Sequence, residues 1–306
     1  MSSGSDGEDD FSEEDEPPET SSKANDDSSG FSPQGGTGSI DGITPYNPET
    51  DLGAYAEDIS FDPHADLCKR RFLWYHASYL QTIENGIAAH LEGSKFFIAP
   101  FESQTNWANG LYQYKNLRKR LKAVYSALKK ETADWAKEGD EATTVHARSV
   151  KVRLQNRFQQ AEESSRRPTG SRFELFLVAN NPFVWKIILY GKPSSNLDGG
   201  IITIMLHFPV RFPEEQPRAF VETRLFHHRI SPVGGALCYL VADSANAISH
   251  LEGIIAAIED DNPGYDPRTL VHPEAASLLW GGDDQRRVYY RRLRRSVQDS
   301  LEAFED

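Results

Sequence analysis

The stretch that decides the fold is IITIMLHFPVRFPEEQPRAFVETRLFHHRISPVGGALC, residues 201–238. It opens with a largely apolar run at 201–208, and proline-bounded turns separate this run from a shorter apolar segment at 219–223. Segments of this length, rich in branched and aromatic residues and bounded by Pro and Gly, are typical of β-strands. The short connections favour an antiparallel arrangement.

Neighbouring segments extend this pattern on both sides. Residues 173–179 and 183–190 predict two further strands, joined by the turn Asn180-Asn181-Pro182. Helical periodicity flanks the four strands. The segments that show it are 148–165, 245–258, 273–279 and 284–304. Residues 148–306 therefore predict an α+β domain, with one helix, four antiparallel strands and then more helices.

Turn-forming and polar residues punctuate this domain in a distinctive order. In chain order they are Trp185, Gly191-Lys192-Pro193, Asp198-Gly199-Gly200, Phe208-Pro209, Phe212-Pro213, Pro217, Thr223, His227, Gly234, Cys238, Asn262-Pro263, Asp266-Pro267 and Pro273-Glu274-Ala275-Ala276. The order resembles the catalytic core of the ubiquitin-conjugating enzymes over about the last half of the chain. The resemblance implies that family's fold, an N-terminal helix, a four-stranded antiparallel meander and C-terminal helices.

The resemblance also implies an activity centred on Cys238. In the family, a cysteine accepts ubiquitin or a ubiquitin-like modifier from an activating enzyme as a thioester, and a lysine amine then takes it, with a ligase or scaffold protein as further partner. A thiolate is a good acyl acceptor, and its thioester stays reactive toward amines. The alternative interpretations are a buried structural thiol and a catalytically inactive variant that acts as a binding scaffold. No cofactor is implied.

The sequence departs from the family's His-Pro-Asn motif, which reads His227-His228-Arg229 here. The resemblance implies a mainly structural role for His227. It places Arg229 where the family has an asparagine that supports the oxyanion of the transfer step. A guanidinium can stabilise an oxyanion, though with different reach and geometry. The alternative is a surface arginine. The spacing to Cys238 is one residue longer than in the family, which Gly234-Gly235 can absorb.

Two acidic residues are candidates for assisting the attacking lysine. Asp266 matches a family residue that orients and deprotonates this amine, and Asp243 is a second candidate. The alternative for both is turn formation. The segment 241–247 lacks the family's ligase-binding loop, and Glu214 places a charge where an apolar anchor is usual, which predicts weakened docking of standard ligases.

Other chemistries find little support in the sequence. There is no Gly-rich phosphate loop, Cys-x-x-Cys or His-Glu-x-x-His motif. His227 and His228 lack a third spaced ligand for a metal. A cysteine hydrolase that uses Cys238 with His227 needs a contact between the two side chains.

The net charge of −13 is unevenly distributed. Residues 1–65 hold 17 acidic residues and one lysine, a net of −16, and the remaining residues have a net of +3. The composition of residues 1–65 predicts a disordered acidic tail. The net charge of residues 66–306 favours neither an acidic enzyme nor a basic nucleic-acid binder, so we expect no nucleic-acid partner. The last helix is rich in arginine and is suited to an acidic partner, including this tail.

Residues 66–137 predict a helical N-terminal region, and 138–147 predict a linker. No chemistry is assigned to the helical region, and Cys68 is expected to be a buried core thiol. The outward face of strand 201–208 is only partly polar. We therefore expect the helices of 66–137 to cover part of that face.

The same sequence bears on location. No apolar run reaches the ~18 residues of a membrane span, the N-terminus has no secretory pattern, and two cysteines cannot form a disulfide framework. We expect a chain of the cytoplasm or nucleus, with no membrane partner.

Overall fold

The computed structural model describes residues 62–96, 110–141, 144–166 and 172–305. The chain divides into two units, Met1–Glu57 and Asp58–Asp306. The disorder predicted for the acidic tail therefore falls outside the described residues, except at 62–65. Everything below concerns the second unit.

In the described part of this unit, three α-helices and a short strand pair precede the four strands of the main sheet, and three α-helices follow them. The helices are α1 Pro63–Ala89, α2 Tyr114–Glu141, α3 Val145–Ser165, α4 Ala247–Glu259, α5 Pro273–Leu279 and α6 Asp283–Glu305. The strands are β1 Lys95–Phe96, β2 Gly110–Leu111, β3 Phe173–Leu177, β4 Val184–Tyr190, β5 Ile201–His207 and β6 Arg218–Val221. Within the described ranges, no helix combines the length and apolarity that crossing a membrane requires.

The sheet is the predicted meander. Strands β3 to β6 form a four-stranded antiparallel sheet in chain order, and β1 pairs only with β2. Ile204 of β5 lies opposite Ile187 of β4 on one side and Val221 of β6 on the other. The shared register brings apolar residues of neighbouring strands to one face. The predicted α+β conjugating-enzyme-like fold is confirmed.

The main core lies between this face of the sheet and helices α3, α4 and α6. Phe158 of α3 packs edge-on against Trp185 at a ring distance of 5.5 Å, and the Trp185 indole N–H donates to the Pro182 carbonyl at 2.9 Å. From α4, Ile254 enters the same cluster, as Leu293 does from α6. Complete burial of these large side chains is the main stabilisation of the domain.

Helices α1 and α2 cover part of the opposite sheet face. Leu73 of α1 and Leu128 of α2 form a second buried cluster with Phe220 of β6 and Ala236. Phe220 lies opposite Met205, on the face that the sequence shows to be only partly polar. The predicted partial cover of this face is therefore confirmed at β6.

The predicted linker 138–147 is wrong over most of its length. Helix α2 continues to Glu141, and α3 already begins at Val145, with the Thr144 hydroxyl accepting from the Ala147 amide at 3.3 Å. Gly139 lies so close to the domain that an added Cβ would be 2.4 Å from the Phe183 ring. Packing at this point outweighs the low helix propensity of glycine.

The prediction that Cys68 is a core thiol is also wrong. Cys68 is exposed. The buried stripe of α1 runs through Asp66, Leu73, His76 and Ile83. Because a helix turns by about 100° per residue, a residue two positions after Asp66 points away from that stripe.

Candidate active site

The loop that follows β6 is fixed by its own polar side chains. The Thr223 hydroxyl accepts from the Thr203 amide at 2.9 Å. Further along, the buried His227 accepts through Nδ1 from the Arg229 amide at 3.2 Å. Burial, with His228 and Arg229 nearby, lowers the pKa of His227 well below its usual value. A neutral imidazole that closes its own turn suits the structural role expected of His227.

A tight glycine turn then reverses the chain. Ile230 and Leu237 form an isolated antiparallel bridge around it. Gly234 and Gly235 have φ angles of 77° and 69°, a left-handed conformation that favours glycine. A Cβ on Gly235 would lie 2.1 Å from the Val221 carbonyl oxygen. The pair thus accommodates the longer spacing and lets the backbone approach the sheet closely.

Cys238 follows this turn and is enclosed. Its amide donates to the Arg229 carbonyl at 2.9 Å, which sets the two residues side by side. The side chain is 2% exposed, and the thiol donates to the Arg268 carbonyl at 3.8 Å. Burial raises the pKa of Cys238 to about 11, against the opposing effect of Arg229, while Asp266 adds to the rise. At neutral pH the group is a protonated thiol.

Asp266 caps the short 3-10 turn Pro267–Thr269 that lies against the thiol. Its carboxylate accepts from the Arg268 amide at 2.9 Å, and from Nε and Nη2 of the Arg268 guanidinium at 3.0 and 2.9 Å. These hydrogen bonds lower the pKa of Asp266. The group is therefore an ionised carboxylate near the cysteine, but one already paired with a neighbouring arginine.

Arg229 affects the ionisation of both Cys238 and Asp266. Its positive charge lowers the pKa of both Cys238 and Asp266. Its Nε is buried and has no hydrogen-bond partner within the described part of the chain. The structure thus places Arg229 beside Cys238 and the turn that Asp266 caps against the thiol, while His227 accepts from the Arg229 amide.

Comparison with known proteins shows which domains this part of the chain resembles. Residues 153–279 match the family model Ubiquitin-conjugating enzyme. These residues therefore have a divergent ubiquitin-conjugating-enzyme-like fold. It is similar to Ubiquitin-conjugating enzyme E2 3 of Arabidopsis thaliana, 24% identical over 121 residues, which are 40% of this chain and 79% of that protein. It is also similar to Ubiquitin-conjugating enzyme E2 2 of Neurospora crassa, 23% identical over 130 residues, 41% of this chain and 81% of the relative.

Helix α1 contributes to the site of this conjugating domain from outside the matched residues. The Tyr75 hydroxyl donates to the Arg268 carbonyl at 2.7 Å, so Tyr75 and the Cys238 thiol share one acceptor. Arg70 and Arg71 also lie near enough to lower the pKa of Cys238. Sequence reasoning missed these three residues, because no motif in 66–137 marks them.

The residues that the resemblance assigns to ligase docking lie around Phe212 and Glu214. Glu214 is exposed, while Phe212 is buried beneath it. Beside them lies a groove of about 330 Å³, lined among others by Arg153 and Arg157 of α3. The Arg153 guanidinium donates to the Phe212 carbonyl at 3.4 Å. This side therefore presents charge rather than an apolar anchor.

Asp243 and His228 make contacts within the local structure. The exposed Asp243 accepts from the Ala245 amide at 2.9 Å, as a turn former does. His228 Nδ1 and the Tyr289 hydroxyl lie 3.1 Å apart. Within the described ranges, no group of three or more His, Cys, Asp or Glu side chains is placed to hold a metal. The hydrolase alternative gains no support, since the thiol bonds to Arg268 and His227 to Arg229.

Proposed function

We propose that this chain carries ubiquitin, or a ubiquitin-like modifier, as a thioester on Cys238 and transfers it to a lysine amine. The observation that supports the proposal is the position of Cys238, beside Arg229 and against the turn that Asp266 caps, in a region that matches the conjugating-enzyme family model. An activating enzyme is the donor, and a ligase or scaffold protein is the further partner. We also propose a location in the cytoplasm or nucleus, because both cysteines are free thiols.

The proposed chemistry uses these groups in two steps. First, the Cys238 sulfur gives up its proton and bonds to the modifier's terminal carbonyl carbon, displacing the sulfur of the activating enzyme. Next, the lysine nitrogen attacks that carbon, the carbon–sulfur bond breaks, and the amine loses a proton. Negative charge develops on the carbonyl oxygen in both steps, and Arg229 is the cation beside it. Asp266 is the carboxylate near the incoming amine.

One observation favours a second function, that of a non-catalytic binding module. With a pKa of about 11, only about one Cys238 in 10⁴ is ionised at pH 7 in the closed structure. In addition, the Asp266 carboxylate is occupied by Arg268. A domain that keeps this geometry at all times binds partners through its surface and forms no thioester.

A loading assay separates the two functions. The chain is incubated with activating enzyme, ATP and ubiquitin and run on a non-reducing gel. A thiol-sensitive adduct is expected for the original chain and for Cys68→Ser, whose exposed thiol serves as the matched control. The adduct should vanish in Cys238→Ala and become resistant to reductant in Cys238→Ser. If the adduct forms equally in Cys238→Ala, Cys238 does not carry it and the proposal fails. If none of the ubiquitin-like modifiers gives an adduct, the binding module is the function.

A further inference from the structure

Helix α1 contacts the turn to which the thiol needed by the proposed function is hydrogen-bonded. Cys238 is 2% exposed, and both the Tyr75 hydroxyl and the Cys238 thiol bond to the Arg268 carbonyl. We propose that α1 is an autoinhibitory cover, and that Cys238 becomes reactive only in a state in which α1 has left it. The consequence for loading rests on the proposed function. The cover itself is a property of the fold.

Two attachments hold α1 on either side of the thiol. Tyr75 binds the turn that contains Arg268, the hydrogen-bond acceptor of the thiol. Leu73 packs against Ala236, two residues before Cys238 in the chain, and against Phe220. Both contacts involve segments that adjoin the thiol, so a movement of α1 changes the packing around it.

Helix α2 stays attached to the domain by contacts of its own. The buried Arg218 donates to the Thr132 hydroxyl at 2.7 Å, and the Asn181 side chain donates to the Ala136 carbonyl at 2.7 Å. Neither bond involves α1. The cover can therefore move while α2 remains on the sheet.

The ion pairs between α1 and α2 lie at the surface, while Leu73 and Leu128 provide buried apolar packing between the two helices. Lys69 pairs with Glu131 at 2.7 Å, and Glu84 pairs with Arg118 at 3.0 Å, with all four side chains partly or largely exposed to solvent. Exposed ion pairs of this type contribute about 0–1 kcal/mol each.

The buried stripe of α1 also contains unsatisfied polar atoms. Both ring nitrogens of His76 and Oδ1 of Asp66 are buried with no hydrogen-bond partner in the described part of the chain. The His76 ring stacks on Tyr125 of α2 at 4.1 Å, which satisfies neither nitrogen. An unpaired buried polar group opposes the closed state because it regains hydrogen bonds with water on opening. In this interface, apolar packing stabilises the closed position of α1 and the unsatisfied polar atoms destabilise it. Such a balance is what a cover that opens locally requires.

Thiol reactivity in the full chain tests the cover directly. The chain has two cysteines, so Cys68→Ser leaves Cys238 alone and Cys238→Ser leaves the exposed Cys68 alone. The rate of reaction with a small aromatic disulfide reagent is measured for each at pH 8. We expect Cys238 to react at least about a hundredfold more slowly than Cys68, because the reagent needs an accessible thiolate.

Variants of α1 then show whether the helix controls that rate. In the Cys68→Ser chain, Tyr75→Phe removes one hydrogen bond and should accelerate Cys238 about fivefold, in line with about 1 kcal/mol for such a bond. Tyr75→Ala removes the ring as well and should accelerate it more. Tyr79→Ala is the matched control, since Tyr79 lies one turn along the same helix and is 42% exposed. It should leave the rate unchanged.

A variant that weakens the whole domain separates local opening from unfolding. Val297→Ala truncates a buried residue of α6, away from α1, and its free energy of unfolding is measured beside that of Tyr75→Ala. The cover is overturned if Cys238 reacts as fast as Cys68, or if the Tyr75 variants leave the rate unchanged. It is also overturned if Val297→Ala accelerates the reaction as much, for equal loss of stability, as Tyr75→Ala does.

The thioester assay on the same variants keeps the two proposals apart. If Tyr75→Ala exposes the thiol and raises the rate of thioester formation, both proposals stand. If it exposes the thiol and no thioester forms, the cover stands and the conjugating function fails. If the original chain loads at the rate of Tyr75→Ala, the cover fails and the conjugating function stands.

Discussion

Replacing Arg218 tests how strongly the N-terminal helices are bound to the conjugating domain. The buried guanidinium donates through Nη1 to the Leu128 carbonyl at 3.2 Å and to the Thr132 hydroxyl at 2.7 Å. Through Nη2 it reaches Glu131 at 3.4 Å and Glu215 at 3.7 Å. One side chain of β6 therefore satisfies several polar groups of α2.

The substitution Arg218→Met removes the charge and the hydrogen bonds while keeping apolar volume over the Trp135 ring, which the guanidinium carbon approaches to 4.3 Å. Breaking a buried ion pair by removing one partner costs about 3–5 kcal/mol, because the other charge stays buried and unpaired. Since Glu131 is partly exposed and can turn to solvent, we expect a loss at the lower end, about 3 kcal/mol.

The loss should depend on pH through Glu215. Burial raises the pKa of Glu215, and Arg218 opposes that rise. Without Arg218, the pKa of Glu215 in the folded state rises further, while its unfolded value stays the same. The ionised carboxylate then opposes folding above its unfolded pKa of about 4.3, so the loss of stability should be largest near neutral pH and shrink as the pH falls through that value.

Urea unfolding followed by tryptophan fluorescence measures these effects at pH 7 and pH 4. The matched control is Arg211→Met, at an exposed position in the loop before β6, which should stay within about 0.5 kcal/mol of the original chain. A loss below about 1 kcal/mol for Arg218→Met, or an equal loss at both pH values, would refute the reasoning.

Three further predictions concern the site. Gly235→Ala should cost at least about 1–3 kcal/mol, because its φ is 69° and its Cβ would meet the Val221 carbonyl; chemical denaturation measures this, with Gly264→Ala, in open space, as a near-neutral control. Burial lowers the pKa of His228 to about 3. Below about pH 6.5 the native state therefore binds fewer protons than the unfolded chain, and the free energy of unfolding should fall as the pH drops from there toward 3. His228→Gln should flatten that fall by on the order of a few kcal/mol, and an unchanged pH profile of unfolding would contradict the assignment. The alkylation rate of Cys238 as the sole thiol should rise about tenfold per pH unit from 7 to 10, and a plateau below pH 9 would contradict its pKa of about 11.

Much of the fold could be predicted because strands and helices leave local periodic patterns. The strand predicted at 201–208 is β5, Ile201–His207, and the helix predicted at 273–279 is α5 at the same bounds. Helix ends were harder to predict. The glycine and charges near 139 are typical of a linker, yet α2 continues through them, since its neighbours Trp135 and Phe183 are buried there.

The candidate site could be predicted only in part. The resemblance in the order of residues singles out Cys238, Arg229 and Asp266, and the structure places Cys238 beside Arg229 and against the turn that Asp266 caps. The pairing of Asp266 with Arg268 leaves no such trace, because two residues of a loop show their partners only after the loop has folded.

The sequence alone determined that this chain contains a four-stranded antiparallel meander, and its resemblance to the conjugating enzymes singled out Cys238 as the candidate cysteine, because both depend on the order of residues along the chain. Only the tertiary structure decided that the cysteine is enclosed. Tyr75 and Arg268 are 193 residues apart in the sequence. Neither the helical pattern around Tyr75 nor the turn pattern around Arg268 indicates that the two residues meet. Periodicity shows which face of a helix is buried, but the group it is buried against is set by the packing of the whole domain.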